Sequence, residues 1–398
     1  MKLRFDRHEL AGSLGDLGAL LPLAFGLIML NGLDSTATFV SIGLFYILGG
    51  LYFGVTVPVQ PMKVISAYAI ANALSASQIS ASGLWMGALL LGLGVTGTMT
   101  RVSKLIPQST VRGVQFVTGV LLFVQGIKFM LGQTNLQQAH GAAEPFLSFS
   151  SVGPIPLGIL LGVAAIVVTL MLLENRVAPA ALVVVVGGAL AGLALGGWHN
   201  LANFHLGLHW PQLLPFGLPT GADFALALTA LALPQIPMTI GNAVVAQADL
   251  TREYFGDEAA RRSSPRALAI SMGLANLATG VFGGMPLCHG AGGLAAHYRF
   301  GARTAGSNLM IGGLFLLAGV LVGDKAVVVF SLLPCSVLGA LLCFAGAQLA
   351  LMILDVKERT DLFVVIVMLA VSLVSNLGVA FGIGLVTASL FKHTKMTV

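Results

Sequence analysis

Apolar runs of about twenty residues, each long enough to cross the hydrocarbon core of a bilayer, follow one another along this chain with short polar breaks between them. Read between those breaks, the pattern predicts about fourteen spans. They lie near residues 10–30, 36–53, 58–74, 83–100, 112–131, 154–173, 177–196, 223–248, 266–283, 287–298, 305–322, 326–353, 361–375 and 377–391. The expected fold class is an all-α polytopic membrane protein, with the third and tenth spans conspicuously short.

Composition agrees with that pattern. Hydrophobic residues are 57% of the 398 positions and charged residues 9%, where a soluble domain carries roughly a quarter. The basic start at Lys2, Arg4 and Arg7 runs straight into an apolar segment without a small-residue cleavage site, so no cleavable signal peptide is expected. Cys288, Cys335 and Cys343 all fall in apolar segments and lack metal-ligand spacing, which argues against disulfide and zinc chemistry. No metal site and no cofactor are expected.

The formal charge of +5 looks at first like a nucleic-acid signal, but the positions of the charges give another reading. Arginine and lysine gather at the N-terminus and in the breaks after even-numbered spans: Arg101 and Lys104, Arg176, Arg252, Arg261 and Arg262, Arg299 and Arg303, Lys357 and Arg359. Lys392 and Lys395 follow the last span, while residues 132–154 and 197–223 contain neither type. This is the positive-inside bias of an even number of spans, with both termini cytoplasmic and no nucleic-acid partner. A plasma (inner) membrane location is expected.

The chain also repeats itself. Ser13-Leu14-Gly15-Asp16 resembles Thr239-Ile240-Gly241-Asn242, Phe53-Gly54 leading to Pro58 resembles Phe282-Gly283 leading to Pro286, and Ile106-Pro107-Gln108-Ser109 resembles Leu333-Pro334-Cys335-Ser336. Asp16 thus falls on Asn242, Pro58 on Pro286 and Pro107 on Pro334, an offset that barely changes along the chain. That near-constant offset maps span one onto span eight. Because seven is odd, the second half (223–398) enters the membrane from the side opposite to the first (1–200), as inverted-repeat transporters do.

Both short spans open irregularly. Pro58 and Pro61, preceded by β-branched residues, predict an extended stretch to about Val59 and a half-helix from near Pro61. Gly283 to Gly293 predicts the same, with the half-helix starting near His289. Irregular backbone at membrane depth is tolerated only inside protein or beside a wet cavity. Two opposed half-helix N-termini would make an anion site from free amides and partial positive charge. The expected donors are backbone amides from Gln60 to Lys63, with Met62 and Lys63 first, and from Cys288 through His289, Gly290 and Ala291 to Gly292. Gly290 and Gly292 are expected to be intolerant of bulk.

Polar side chains inside the spans complete the expected site. Lys63 is a cation in a membrane span and so a functional candidate. Gln60, Gln235, Thr239 and Asn242 are candidate ligands, the last three sharing one helical face. Asp16 is the candidate coupling group, as a proton relay or as counter-ion to Lys63. His289 is read either as a substrate donor or as a cap for local backbone.

At Gly15-Asp16-Leu17-Gly18, Pro58 to Lys63, Pro234 to Asn242 and Cys288 to Gly293 the sequence resembles the molybdate transporter family of the sulfate-permease superfamily, over residues 9–390. The resemblance implies the seven-plus-seven inverted-repeat fold shared with uracil permease and anion exchangers. In that fold spans 1–4 and 8–11 form a core domain, spans 5–7 and 12–14 a gate domain, and substrate sits between the half-helices of spans three and ten. It implies secondary active transport of a tetrahedral oxyanion, molybdate or sulfate, with a proton as coupling ion and the bilayer as surroundings; a homodimer is left open. The chain stops at Val398 without the cytoplasmic regulatory domain of many sulfate permeases. Where nucleobase relatives carry glutamates on spans eight and ten, this sequence has Gln235, Asn242 and His289, which favours an anionic ligand. A nucleobase or bicarbonate carrier of the same fold, and an anion channel, are the alternatives. No paired carboxylates, zinc motif or Ser-His pair supports an intramembrane enzyme.

Overall fold

The chain's fold is taken from a computed structural model, which describes residues 3–99, 101–102, 106–173, 175 and 179–394. Lys2, Lys104, Arg176 and Lys395 of the charge pattern lie outside the described residues, as do residue 100 at the end of the fourth expected span and residues 177–178 at the start of the seventh.

Helix α1 (Arg7–Ser13) begins on Asp6, whose carboxylate accepts from the amides of His8 and Glu9 at 2.9 and 3.0 Å. It bends by 46° into α2 (Leu17–Asn31) across Leu14-Gly15-Asp16. Helix α3 (Ser35–Phe53) ends on Gly54, whose φ of 78° only a residue without Cβ takes readily and which turns the chain into an extended stretch. That stretch leads to strand β1 (Gln60–Pro61) and the short helix α4 (Lys63–Ala71). Helices α5 (Ala76–Thr96), α6 (Gln108–Met130) and α7 (Asn135–Ala139) follow. A small hairpin, β2 (Ser151–Val152) with β3 (Ile155–Pro156), leads to α8 (Leu157–Leu172) and α9 (Ala180–Ala194).

The second half begins with α10, a helical run over Gly221–Arg262 interrupted at Gly256. After α11 (Pro265–Phe282), Gly283 at φ 73° repeats the device of Gly54. Strand β4 (Leu287–Cys288), α12 (Ala291–Phe300), α13 (Ala305–Leu321) and α14 (Ala326–Phe330) come next. Helices α15 (Cys335–Ala350), α16 (Arg359–Val374) and α17 (Leu377–His393) complete the chain.

By length and apolar character alone, five helices among the described residues suffice to cross a membrane, or seven if the two sharply bent pairs each count once. Helices α8, α9 and α17 are apolar but shorter. The expected twelfth span, 326–353, is divided. Helix α14 ends at Phe330, and α15 starts only after Pro334. Proline brings no amide and disfavours helix in the residue before it. Glu144, buried, then accepts from the amides of Cys335 (3.0 Å) and Ser336 (3.1 Å), fixing the new start.

Shifting the first half so that Pro107 falls on Pro334 lays α3, β1, α4, α5 and α6 on α11, β4, α12, α13 and α15. Packing respects that relation: α3 lies on α13, α5 on α11, and α6 on its own mate α15. Gly119 and Gly346, mates under the same shift, touch at the α6–α15 crossing. A Cβ on either would meet the other's carbonyl oxygen at 2.6 Å. Gly126 meets Gly339 nearby, so the two helices run antiparallel. Strands β1 and β4 are likewise antiparallel, with Gln60 opposite Cys288 and Pro61 opposite Leu287.

Two buried asparagines hold the extended stretches. Asn308 on α13 accepts from the Val57 amide at 3.0 Å and donates to the carbonyls of Val57 (2.7 Å) and Tyr46 (3.1 Å). Asn276 on α11 accepts from Leu287 N at 3.0 Å and donates to Leu287 O at 2.6 Å. Each thus satisfies strand groups that have no water to turn to.

Candidate functional site

The paired strands bring the starts of α4 and α12 together. At α4, the Met62 amide donates to Pro286 O at 2.9 Å and is not free. The Val64 and Ile65 amides both donate to Oε1 of Gln235, at 2.9 and 3.3 Å. Gln235 in turn donates to Thr239 Oγ1 at 2.9 Å. Gln235 and Thr239 therefore act as the cap of α4, and Lys63 rather than Met62 is the first residue of that helix whose amide has no acceptor among the described residues. At α12 no side chain caps the helix, and the amides of Ala291, Gly292 and Gly293 have no acceptor among the described residues.

Helix α10 presents Gln235 from an unusual backbone. Wider π-helical turns at Ala227–Ala232 and Thr239–Val245 flank an α-turn that contains Pro234 and Pro237. Prolines inside a helix leave carbonyls without their usual donors, and π turns of this kind concentrate at functional positions.

The Asp16 carboxylate, at the bend between α1 and α2, accepts from Gln60 Nε2 at 2.7 Å. Its other oxygen and Gln60 Oε1 are buried without hydrogen-bond partners. No ion pair joins Asp16 to Lys63 among the described residues. Glycines pack over this pair: a Cβ on Gly290 would collide with Gln60 Oε1, and one on Gly293 would meet Asp16 Oδ2 at 2.6 Å and Pro58 Cβ at 2.6 Å. A Cβ on Gly292 meets nothing within 4 Å. Gly290 and Gly293 are thus closed to a side chain by protein atoms, whereas Gly292, where bulk is expected to hold the backbone off a ligand, faces open space on the cavity side.

His289 is fully buried, and both ring nitrogens face protein atoms: Nδ1 donates to Pro58 O at 2.9 Å and Nε2 lies 2.9 Å from Ser271 Oγ. Its ring stacks on Phe45 at 4.6 Å. This is the backbone-capping alternative of the sequence reading, not the substrate-donor one. Cys288 is buried with its thiol turned to Pro61 O at 3.4 Å.

A cavity of about 600 Å³ opens beside these helix ends. Of the expected residues, Lys63, Asn242 and Gly292 reach its wall. Asp16, Gln60, Gln235 and Thr239 stand behind that wall as support. Lys63 is half-buried and makes no hydrogen bond or ion pair among the described residues. The cavity is also lined by Gln108, Arg112 and Gln115 from the first turns of α6, and by Gln348 from α15. None of these four is among the site residues expected from the sequence, although positions 108, 112 and 115 share one helical face directly after a helix-starting proline.

The chain matches a family model described as "Molybdate transporter of MFS superfamily" over residues 8–122 and 227–349, one stretch in each half. It is 32% identical over 416 residues to Molybdate transporter 2 of Arabidopsis thaliana, covering 96% of this chain and 87% of that one. In fold it is similar to the transmembrane domain of the cyanobacterial bicarbonate transporter BicA (TM-score 0.63, 17% identity, 98% of each chain). It is also similar to the murine Slc26a9 anion transporter (TM-score 0.67, 14% identity, 100% of this chain and 70% of that one). At these identities the two likenesses speak for the fold alone.

Proposed function

This chain belongs to the molybdate transporter family, and from that premise we propose that it is a secondary active carrier of a tetrahedral oxyanion, molybdate first and sulfate second. A multi-pass membrane transporter of this family is not an enzyme. The observation that carries the reading is the placement of Lys63. A cation whose side chain makes no hydrogen bond or contact ion pair among the described residues, though it lies in the field of Asp16, stands on the wall of a 600 Å³ cavity, next to the uncapped first turn of α12. A cation inside a membrane span is costly unless it serves a ligand, and the free amides of a helix start add partial positive charge.

In this reading the anion lies between Lys63 and the amides of Ala291 and Gly292, with the Asn242 side chain completing the shell. Gln60, Met62, Gln235, Thr239, Cys288, His289 and Gly290 build the frame around it. The fourteen spans form two inverted halves. Spans 1–4 and 8–11 are the core that carries the site, and spans 5–7 and 12–14 are the gate it moves against, giving alternating access. Asp16 is the coupling group: its buried, half-satisfied carboxylate sits one glutamine from the anion site and takes up the proton that accompanies it. The carrier lies in the plasma (inner) membrane, both termini in the cytoplasm.

Reconstitution into liposomes tests this reading. Labelled molybdate is expected to enter saturably, faster with the lumen alkaline, and to exchange against unlabelled molybdate or sulfate. Displacement by uracil or bicarbonate without molybdate accumulation would overturn it. Non-saturating flux without countertransport would make the protein a channel.

A further inference from the structure

Arg112 lines the same cavity as Lys63, but its guanidinium is engaged. Its Nε lies 2.9 Å from Asp355 Oδ1 and its Nη2 also bonds Asp355, a two-pronged pair between the start of α6 and the turn after α15. Gln115 Oε1 accepts from Arg112 Nη1 at 2.8 Å, and Gln108 Nε2 donates to Asp355 at 3.1 Å. Each partner is thus steadied by a glutamine of its own. The Arg112 side chain is 18% exposed and that of Asp355 42%, so the carboxylate already sits at the wet end of the pair.

At the end related by the internal repeat, the same two helices join without an ion pair among the described residues. Under the shift that lays Pro107 on Pro334, the mate of Arg112 is Gly339 and the mate of Asp355 is Lys128. At that related end α6 and α15 pack directly: a Cβ on Gly339 would meet Gly126 O at 2.5 Å. Lys128 there has no ion-pair partner among the described residues. At the Arg112 end the close glycine contact is replaced by an arginine, and the cavity opens there.

We propose that Arg112 is a second anion-contacting residue, held in reserve by Asp355, so that the oxyanion and the Asp355 carboxylate compete for one guanidinium. The inference rests on the oxyanion-carrier reading and deepens it. A guanidinium fork matches carboxylate and tetrahedral oxyanion alike, which makes the exchange one of equivalent paired hydrogen bonds. Asp355 turns to water when displaced, Gln115 keeps the fork aimed into the cavity, and the dianion then faces both Lys63 and Arg112. When the anion leaves, Asp355 retakes the arginine, which prevents the doubly cationic cavity from trapping its cargo.

The test is molybdate titration of the purified full-length chain, with melting temperatures recorded for every variant. D355N is expected to tighten the Kd by about tenfold, the scale of one charge-assisted contact. R112Q is expected to weaken it, and R112Q/D355N to bind like R112Q. The swapped R112D/D355R variant keeps an ion pair between the helices and so guards against simple misfolding; it too is expected to bind like R112Q. An unchanged Kd in D355N, an equal gain from D355N in the R112Q background, or wild-type binding by the swap overturns the proposal. If the wild type binds no oxyanion, or if Lys63→Ala binds as well as wild type, it is the carrier reading that has failed. If Lys63→Ala weakens binding while D355N changes nothing, the Arg112 proposal alone falls.

Discussion

Gln235 reaches from α10 to the first turn of α4 and accepts from the Val64 amide at 2.9 Å, so one helix of the second half finishes a helix of the first. Gln235→Leu leaves two buried amides without an acceptor, a cost of about 1–3 kcal/mol each. Gln235→Glu keeps the acceptor but sets a carboxylate beside the anion site. The leucine variant should lose thermal stability, while the glutamate variant should stay folded and bind molybdate poorly. Equal melting temperatures for leucine variant and wild type would show that the cap is dispensable.

Lys63→Ala should reduce binding more than folding. The ammonium has no hydrogen bond or contact ion pair to lose among the described residues, only a through-space attraction to Asp16, whereas a charge-assisted contact to the anion is worth about 1.5–3 kcal/mol, tenfold or more in Kd. Calorimetric titration with molybdate, set beside a melting curve, separates the two effects; unchanged affinity in a stable protein would remove Lys63 from the site.

Neighbouring glycines should respond in opposite ways. Gly293→Ala forces a methyl against Asp16 Oδ2 and Pro58, at a cost of about 1–3 kcal/mol. Gly292→Ala meets open space and should leave stability where it is or raise it slightly. Melting temperatures of the two variants decide the matter, and equal losses in both would contradict the packing described here.

Asp16→Asn should uncouple uptake from a pH gradient while some binding remains. The amide oxygen still accepts from Gln60, and the repeat partner of Asp16 is already an asparagine, Asn242. Adding Lys63→Met tests the counter-ion alternative. Return of pH-driven uptake in the double variant would mean that Asp16 only balanced Lys63.

Burial holds the Glu144 carboxyl above its ordinary value of 4.5, against the pull of the Ser336 and Cys335 amides. An acid whose folded-state value is raised favours the folded protein below its unfolded value, and that advantage is lost as pH rises from the unfolded value through the folded one. Wild-type melting temperature should therefore fall, relative to Glu144→Gln, as pH is raised from about 4.5. Parallel curves for the two proteins would show that Glu144 does not titrate there.

Much of the architecture could be read from apolar runs and from one offset, because span length and repeat distance are carried by position alone. The pairing of Gln60–Pro61 with Leu287–Cys288 follows from prolines and glycines at related places. The direction of each polar side chain is not coded by period. Gln60 turns to Asp16, Gln235 to backbone amides and His289 to Pro58 O, because each lies nearer a buried orphan group than the cavity. Asn276 and Asn308 are invisible as clamps for a related reason: an asparagine in an apolar helix reads the same whether it joins two helices or holds a strand. The division at Pro334 escapes a hydropathy reading because Ser331, Pro334 and Ser336 are too few polar or helix-breaking positions to lower the average of an otherwise apolar run.

The strand register has a consequence for how the gene can change. Gln60 pairs with Cys288 and Pro61 with Leu287, so the repeat shift turns each pair into the other. One residue inserted between Gly54 and Gln60 would exchange the faces of β1, and a second change of one residue in the same stretch would restore them. The two copies already differ in length here: Gln60 follows Gly54 by six positions and Leu287 follows Gly283 by four, an even difference that keeps the faces of the strands. Length can change there two residues at a time, because a single added or lost residue turns the strand over.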